Sequence, residues 1–216
     1  MSFRPVSSSL WDPGAAAAPA KRVHSPDLEL NDGWRLTDLL LMNDVDAMER
    51  LFQPSGLALP QIHWRPEFAG LPANELRRLA ATWSSRRQSH LPPSAHAFDL
   101  GDLADESDYL MALDVLSGGE DFHYRHYGER IAEVTGFNMT GKLLSAVPTR
   151  SALAAFFLAS YRAVVLSKAP LLTIHRPPSY PIDWTRLILP LVDASGAVTR
   201  ILAGNIPNDR TPRFNS

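Results

Sequence analysis

Two periods alternate along this chain, and each change of period marks an element. In DGWRLTDLLLMNDVDAMERLFQ, Leu36, Leu39, Leu40, Ala47, Met48 and Leu51 return at helical spacing, with Asn43 interrupting the stripe. Residues three and four apart share one helix face, so the spacing predicts a helix near 36–52 that ends before Pro54. Residues 53–73 hold Pro54, Gly56, Pro60, Pro66, Gly70 and Pro72 and read as linker. From Asn74 the helical period returns. Leu76, Leu79, Ala80 and Trp83 line one face of ANELRRLAATWSSRRQ, the arginines lie off it, and Asn74 stands where an N-cap belongs. HLPPSAHAFDLGDL then reads as an extended connection, because proline disfavours helix at and before itself.

Beyond this point the period falls to two. DYLMALDVLSGG predicts a first strand, and the Gly-Gly-Glu-Asp turn leads into a second, DFHYRHYG, as a hairpin. ERIAEVTGFNMTGKLLSAV is helical in short pieces, broken by Gly136 and Gly141. TRSALAAFFLASYRAVVLSK is the longest helix, with Leu153, Phe156, Phe157, Val164 and Val165 as its buried stripe. PLLTIHRPP, DWTRLILPLVD and AVTRILAGNIP follow as third, fourth and fifth strands. This order predicts an α+β fold with helices gathered on one face of an antiparallel sheet.

The fourth strand alternates most cleanly. Leu187, Leu189 and Leu191 share one face, expected to meet the helices, while Trp184, Arg186, Ile188 and Pro190 share the other. Trp184 and Ile188 would leave an apolar strip that something must cover. The Leu76–Trp83 helix is the expected cover, from the same chain or from a second copy. Leu76, Leu79, Trp83 and Trp184 are therefore the candidate interface of a homodimer. Pro190 cannot donate to a ladder, so the strand is expected to be locally unpaired there or to lie at an edge.

Composition narrows the function classes. The 216 residues are 45% hydrophobic and 20% charged with net charge −2, values of a globular protein without a nucleic-acid surface. Arg77, Arg78, Arg86 and Arg87 read as a solvated helix face rather than a phosphate-binding patch. There is no cysteine, hence no disulfide, thiol nucleophile or zinc-thiolate site. Residues 1–30, rich in Ser, Ala and Pro, predict a flexible tail rather than a secretory signal, and 208–216 a C-terminal tail. No segment reaches the ~18 apolar residues of a membrane span. A cytoplasmic protein without membrane contact is expected.

Candidate chemistry concentrates in DFHYRHYGERI. On a regular strand Phe122, Tyr124 and His126 share one face, while His123, Arg125 and Tyr127 share the other. The aromatic pair predicts that the first set faces the core, and the two histidines on opposite faces cannot close on one metal. His126 is then a satisfied core histidine, a polar point in a pocket, or a proton-sensitive switch. Arg130 either anchors the helix start to an acid such as Asp114 or reaches toward an anionic ligand. Asp114 itself, an unpaired buried carboxylate being costly, needs a partner or exposure. Signatures of turnover are missing. The sequence holds no G-x-S-x-G elbow and no G-x-G-x-x-G, and TGFNMTGK lacks the strand-to-helix setting and following hydroxyl of a phosphate loop. Asp105-Glu106 reads as solvated charge. The chain is not expected to be an enzyme.

From Trp83 to Gly204 the ordered pieces resemble a PAS domain, and more narrowly the bacterial PAS family labelled PAS_5. They are the helical tryptophan, LPPSAHAFDLGDL, LDVL, DFHYRHYGERI, the MTGK turn, the long helix ending in KAPLL, and LILPLVDASGAVTRILAG. Ala95-His96 departs from the arginine and acidic residue common there, and His126 from the usual aliphatic. The resemblance implies a five-stranded antiparallel sheet of order 2-1-5-4-3 with helices on one side, a sensor or interaction module usually without catalytic residues. On that reading 31–73 is a helical extension and linker before a PAS-like domain over 74–207. Its ligand-lining set is Tyr124, His126, Arg130, Phe137, Phe157, Leu187 and Leu189. No metal, haem or flavin is expected.

Two functions follow as expectations. One is a regulatory protein that binds a small molecule or a protein partner and signals through association, the partner reached through the 36–52 helix and the output lying in another polypeptide. The other is an adaptor whose bulky residues simply fill the interior. A cavity of ~300 Å3 or more beside His126 and Arg130 would favour sensing.

Overall fold

Asn43 decides where the first helix stops. In the computed structural model, which describes residues 32–87, 90–149, 151–177 and 182–208, the expected single helix is two: α1 (Gly33–Met42) and α2 (Val45–Phe52). Asn43 takes the left-handed conformation at φ 55°, which asparagine tolerates better than most residues. Asp44 then starts α2 by accepting the backbone N–H of Ala47 at 3.0 Å. Leu36, Leu40, Met48 and Phe52 are all buried. Their stripe packs into the main core, with α1 lying on α5 (Ser151–Ser167), so this face is spent inside the chain and is not open to a partner.

The segment read as linker contributes a strand. β1 (Gln61–Trp64) pairs antiparallel with β4 (Leu171–His175), Gln61 opposite Ile174. Trp64 Nε1 donates to the Leu40 carbonyl at 3.1 Å, and the Arg65 N–H to the Pro170 carbonyl at 2.9 Å. These bonds tie the extension to the sheet. A strand of four residues between Pro60 and Pro66 is too short for a period to stand out against the linker composition around it.

The remaining strands are β2 (Leu110–Leu116), β3 (Asp121–Tyr127), β5 (Asp183–Val192) and β6 (Val198–Asn208). The sheet has six antiparallel strands in the order β1-β4-β5-β6-β2-β3, one more than the five expected; β1 is the added edge strand, and the other five, counted from β2, stand in the order 2-1-5-4-3. The free edge of β3 is met by the following loop, where Gly141 donates to the Tyr124 carbonyl at 2.8 Å and Tyr124 to that of Lys142 at 2.9 Å. Pro190 lies past Ile188, the last β5 residue opposite β4, so its missing N–H interrupts no ladder on that side. Asn208 belongs to β6 and donates to Thr185 Oγ1 at 2.7 Å, so the expected C-terminal tail starts later than 208. The tails expected over 1–30 and 209–216 lie outside the described residues.

Helices cover both faces of this sheet rather than one. α3 (Asn74–Ser85) lies on one side, where Leu76, Leu79 and Trp83 pack with Leu187, Leu189, Leu191 and Leu202. A Cβ on Gly204 would come within 2.6 Å of Leu76 and 2.9 Å of Leu79, so only glycine lets α3 approach β6 this closely. Trp83 Nε1 donates to the Pro190 carbonyl at 2.9 Å. On the other side lie α1, α2, α5 and the short α4 (Glu129–Thr135), packed against Trp184, Ile188, Met111 and Ile201. The facing of β5 is thus the reverse of the expectation: its leucines meet α3, while Trp184 and Ile188 meet α5. Every residue of β5 is buried, so apolar alternation could not say which face met which helix.

Three smaller expectations also change. Asn74 is the first residue of α3, whose cap is Ala73; its side chain instead accepts from Arg77. Of Asp105-Glu106, expected as solvated charge, Glu106 is buried and pairs with Arg78 at 2.6 Å, while Arg78 and Arg87 are exposed and Arg86, just past α3, pairs with Asp102 at 2.9 Å. Leu76, Leu79, Trp83 and Trp184, the candidate interface, are buried beneath this chain's own elements and offer no surface. No helix among the described residues is long and apolar enough to cross a membrane.

Candidate functional site

A β-bulge sets the site. Along the β2–β3 ladder Leu113 faces Tyr124, but the next partner of Ala112 is His126, so Arg125 is the extra residue. A bulge shifts the alternation by one. Phe122, Tyr124 and Tyr127 are consequently the buried residues of β3, and His126 turns to the α3 side, where its Nε2 donates to the Ser107 carbonyl at 2.8 Å. The register places His123 opposite Asp114 and His126 opposite Ala112, so the two histidines do not lie on opposite faces as expected. Among the described residues no group of three or more His, Asp and Glu gathers to hold a metal ion.

On the α5 side, where the sheet, α4 and the first turns of α5 diverge, a cavity of about 620 Å3 opens. Gly136, at φ 78°, ends α4 in the left-handed conformation and turns the chain so that Phe137 enters the wall. Tyr124, Tyr127, Phe157 and Trp184 supply the other aromatic faces, and Met111, Leu153 and Val147 fill between them. Burial raises the phenol of Tyr124 well above its ordinary value, the neighbouring Tyr161 adding to the effect, and raises that of Tyr127 as well. These hydroxyls stay neutral in the physiological range.

Three polar side chains enter from the strands. Arg186, in the middle of β5, is only 6% exposed. Its guanidinium lies 4.0 Å from the centre of the Phe157 ring, and its Nε donates to Asn205 Oδ1 at 3.3 Å, the residue opposite it in β6. Among the described residues no carboxylate comes within ion-pair distance of it, and Arg186 is the one charged residue lining the cavity. His175 closes β4, its ring edge-on to Phe157 with centroids 5.0 Å apart. Its Nδ1 is buried with no hydrogen-bond partner. Burial first, and the Arg186 charge second, hold its pKa well below 6.5. The imidazole is neutral at pH 7.

Of the seven expected ligand-lining residues, the structure brings Tyr124, Phe137 and Phe157 together. His126 is turned away by the bulge, and Leu187 and Leu189 point to α3. Arg130 neither anchors to Asp114 nor enters the cavity. It is half exposed on α4 and pairs with Glu133 at 2.8 Å, while Asp114 meets Arg125 at 3.3 Å and Arg200 at 3.4 Å. Trp184, an expected interface residue, lines the cavity instead. Sequence reasoning missed Arg186, His175 and Asn205. A signal for the first was present: a lone arginine inside the apolar run LILPL and its neighbours stands in a strand that is buried throughout.

No family model matches the chain, and no curated protein matches it. Among solved structures, one match is the "Structure of an RNA-binding Light-Oxygen-Voltage Receptor". It shares 14% identity, with a TM-score of 0.39, over 82% of this chain and 52% of that one. The chain spans about half the length of that protein. The site and the fold together define an α+β protein with a six-stranded antiparallel sheet and an aromatic hollow between sheet and helices.

Proposed function

We propose that this is a PAS-type sensory protein that binds a small molecule in the α5-side cavity and passes its presence on through association. The observation that carries this reading is the hollow itself. Its volume of about 620 Å3 falls within the ~300–1,000 Å3 usual for ligand pockets, and a filled-core adaptor has no use for it. The PAS resemblance from Trp83 to Gly204 supports the same class, and the sixth strand, β1, is an addition to the implied sheet. Among the described residues the lining contains no carboxylate and no lysine, which favours binding over turnover. Signalling requires only that the ligand favour one packing of the surrounding helices over another. α4, with Ile131 as its buried residue, is the wall least committed to the core.

Native mass spectrometry of the purified full chain tests this. A small molecule is expected to stay bound until collisional activation, and Leu153→Trp, which fills the cavity from α5, is expected to abolish its retention while the protein remains folded. If nothing is retained and no member of a metabolite library raises the melting temperature, the reading fails in favour of the adaptor.

A further inference from the structure

Resting on the pocket reading above, we propose that the cavity takes a small organic acid: a flat apolar body bearing a single carboxylate, held by Arg186. A guanidinium taken out of water loses its hydration, and neutral contacts replace only part of it. Arg186 has one long hydrogen bond to Asn205, the face of Phe157 and, 6.0 Å away, the ring of Tyr161. Neither Nη1 nor Nη2 makes a hydrogen bond among the described residues. That leaves the two-pronged edge of the group free, the geometry that matches a carboxylate bidentately.

The rest of the hollow limits the occupant. With Arg186 as its one charged residue among the described residues, the lining balances a monoanion; a phosphate dianion would leave a charge uncompensated in a low-dielectric site. His175 lines the hollow beside Arg186, its ring edge-on to the same Phe157 ring. The aromatic faces of Trp184, Phe137 and Tyr127 are suited to a planar or apolar body rather than a sugar, whose hydroxyls would find few partners.

The experiment is calorimetric titration of the full chain, at pH 7.5, with three acid–amide pairs: phenylacetate and phenylacetamide, indole-3-acetate and indole-3-acetamide, 2-naphthoate and 2-naphthamide. At least one acid is expected to bind roughly tenfold to hundredfold more tightly than its amide, the range of a charged hydrogen bond. In Arg186→Met that gap is expected to close to within about twofold, and in Arg186→Lys to shrink to an intermediate value, since charge survives but the fork does not. The ligand-free melting temperature of Arg186→Met is expected to equal or exceed that of the parent, because a buried cation without a partner gives way to an apolar chain. Equal binding of acid and amide, a gap that survives in Arg186→Met, or a variant that melts well below the parent or fails to fold would each overturn the proposal. So would a lack of binding by every probe. If native mass spectrometry still shows a retained neutral molecule, only the acid assignment falls; if nothing is retained either, both readings fall together.

Discussion

Two buried arginines on the same side of the sheet have opposite surroundings. Arg162, on α5, is 4% exposed and bonded through two of its three nitrogens: its Nε donates to the Gly119 carbonyl at 2.7 Å and its Nη2 to that of Glu120 at 2.8 Å. Its guanidinium also stacks 4.3 Å from the centre of the Trp34 ring. One side chain thereby joins α5, α1 and the β2–β3 turn. Arg186 is nearly as buried, yet it has one long bond to a neutral amide and an open cavity in front of it. Burial of a charge alone is therefore uninformative. Whether its donors are spent inside the fold separates a structural cation from one held ready for a ligand.

The same contrast runs through two adjacent residues of α5, and it gives the largest expected effect. Phe156 is completely buried and meets the edge of Phe52 with centroids 5.9 Å apart, whereas Phe157 borders the hollow. Phe156→Ala opens a new cavity in solid packing and is expected to cost about 3–5 kcal/mol. Phe157→Ala only enlarges an existing void and is expected to cost less than about 2 kcal/mol, below the usual range for a core phenylalanine. Urea denaturation of the two variants checks this. Equal losses would mean that the cavity region is as well packed as the rest, and the comparison would break.

Next in size is the arginine pair itself. Arg162→Met strands the carbonyl of the buried Gly119, breaks the bond to that of Glu120 and removes the stacking on Trp34, and about 3 kcal/mol of lost stability is expected. For a chain of this length each kcal/mol lowers the melting temperature by roughly 2–4 °C. Differential scanning calorimetry should thus show a fall of about 6–12 °C, set against no fall for Arg186→Met. A tolerant Arg162 would remove the distinction drawn between the two sites.

Much of the fold was legible in the chain and the site much less so, for two local reasons. Helical and strand periods over 74–85, 110–116, 121–127, 151–167 and 183–192 announced their elements, because each is long enough for one face to repeat. Alternation reports only which residues share a face, not which face meets which helix. With β5 apolar on both sides, Leu187 and Leu189 were assigned to the hollow and Arg186 to the outside, and one inversion exchanged them. The second reason is the bulge at Arg125, a single extra residue that leaves no compositional mark and moves His126 out of the cavity while bringing Tyr127 in. A period-two argument is only as good as the absence of such insertions.

His175 extends the comparison to pH, with the smallest expected effect. Its folded pKa lies well below 6.5, burial being the main cause and the Arg186 charge the second. Above the unfolded value of about 6.5 both states carry a neutral imidazole, and the residue adds no pH dependence. As the pH falls below that, the unfolded chain takes up a proton that the folded chain refuses, so stability drops until the folded pKa is reached. One proton can contribute at most about 1.4 kcal/mol per pH unit. Urea midpoints at pH 7.5, 6.5 and 5.5 should therefore decline more steeply for the parent than for His175→Phe, which keeps a ring against Phe157 but cannot titrate. A carboxylate seated on Arg186 neutralises the nearby charge and should make the parent's decline shallower. Parallel declines in parent and variant would show that His175 is protonated as readily in the folded chain as in the unfolded one, and the hollow would then be wetter and less selective than its lining implies.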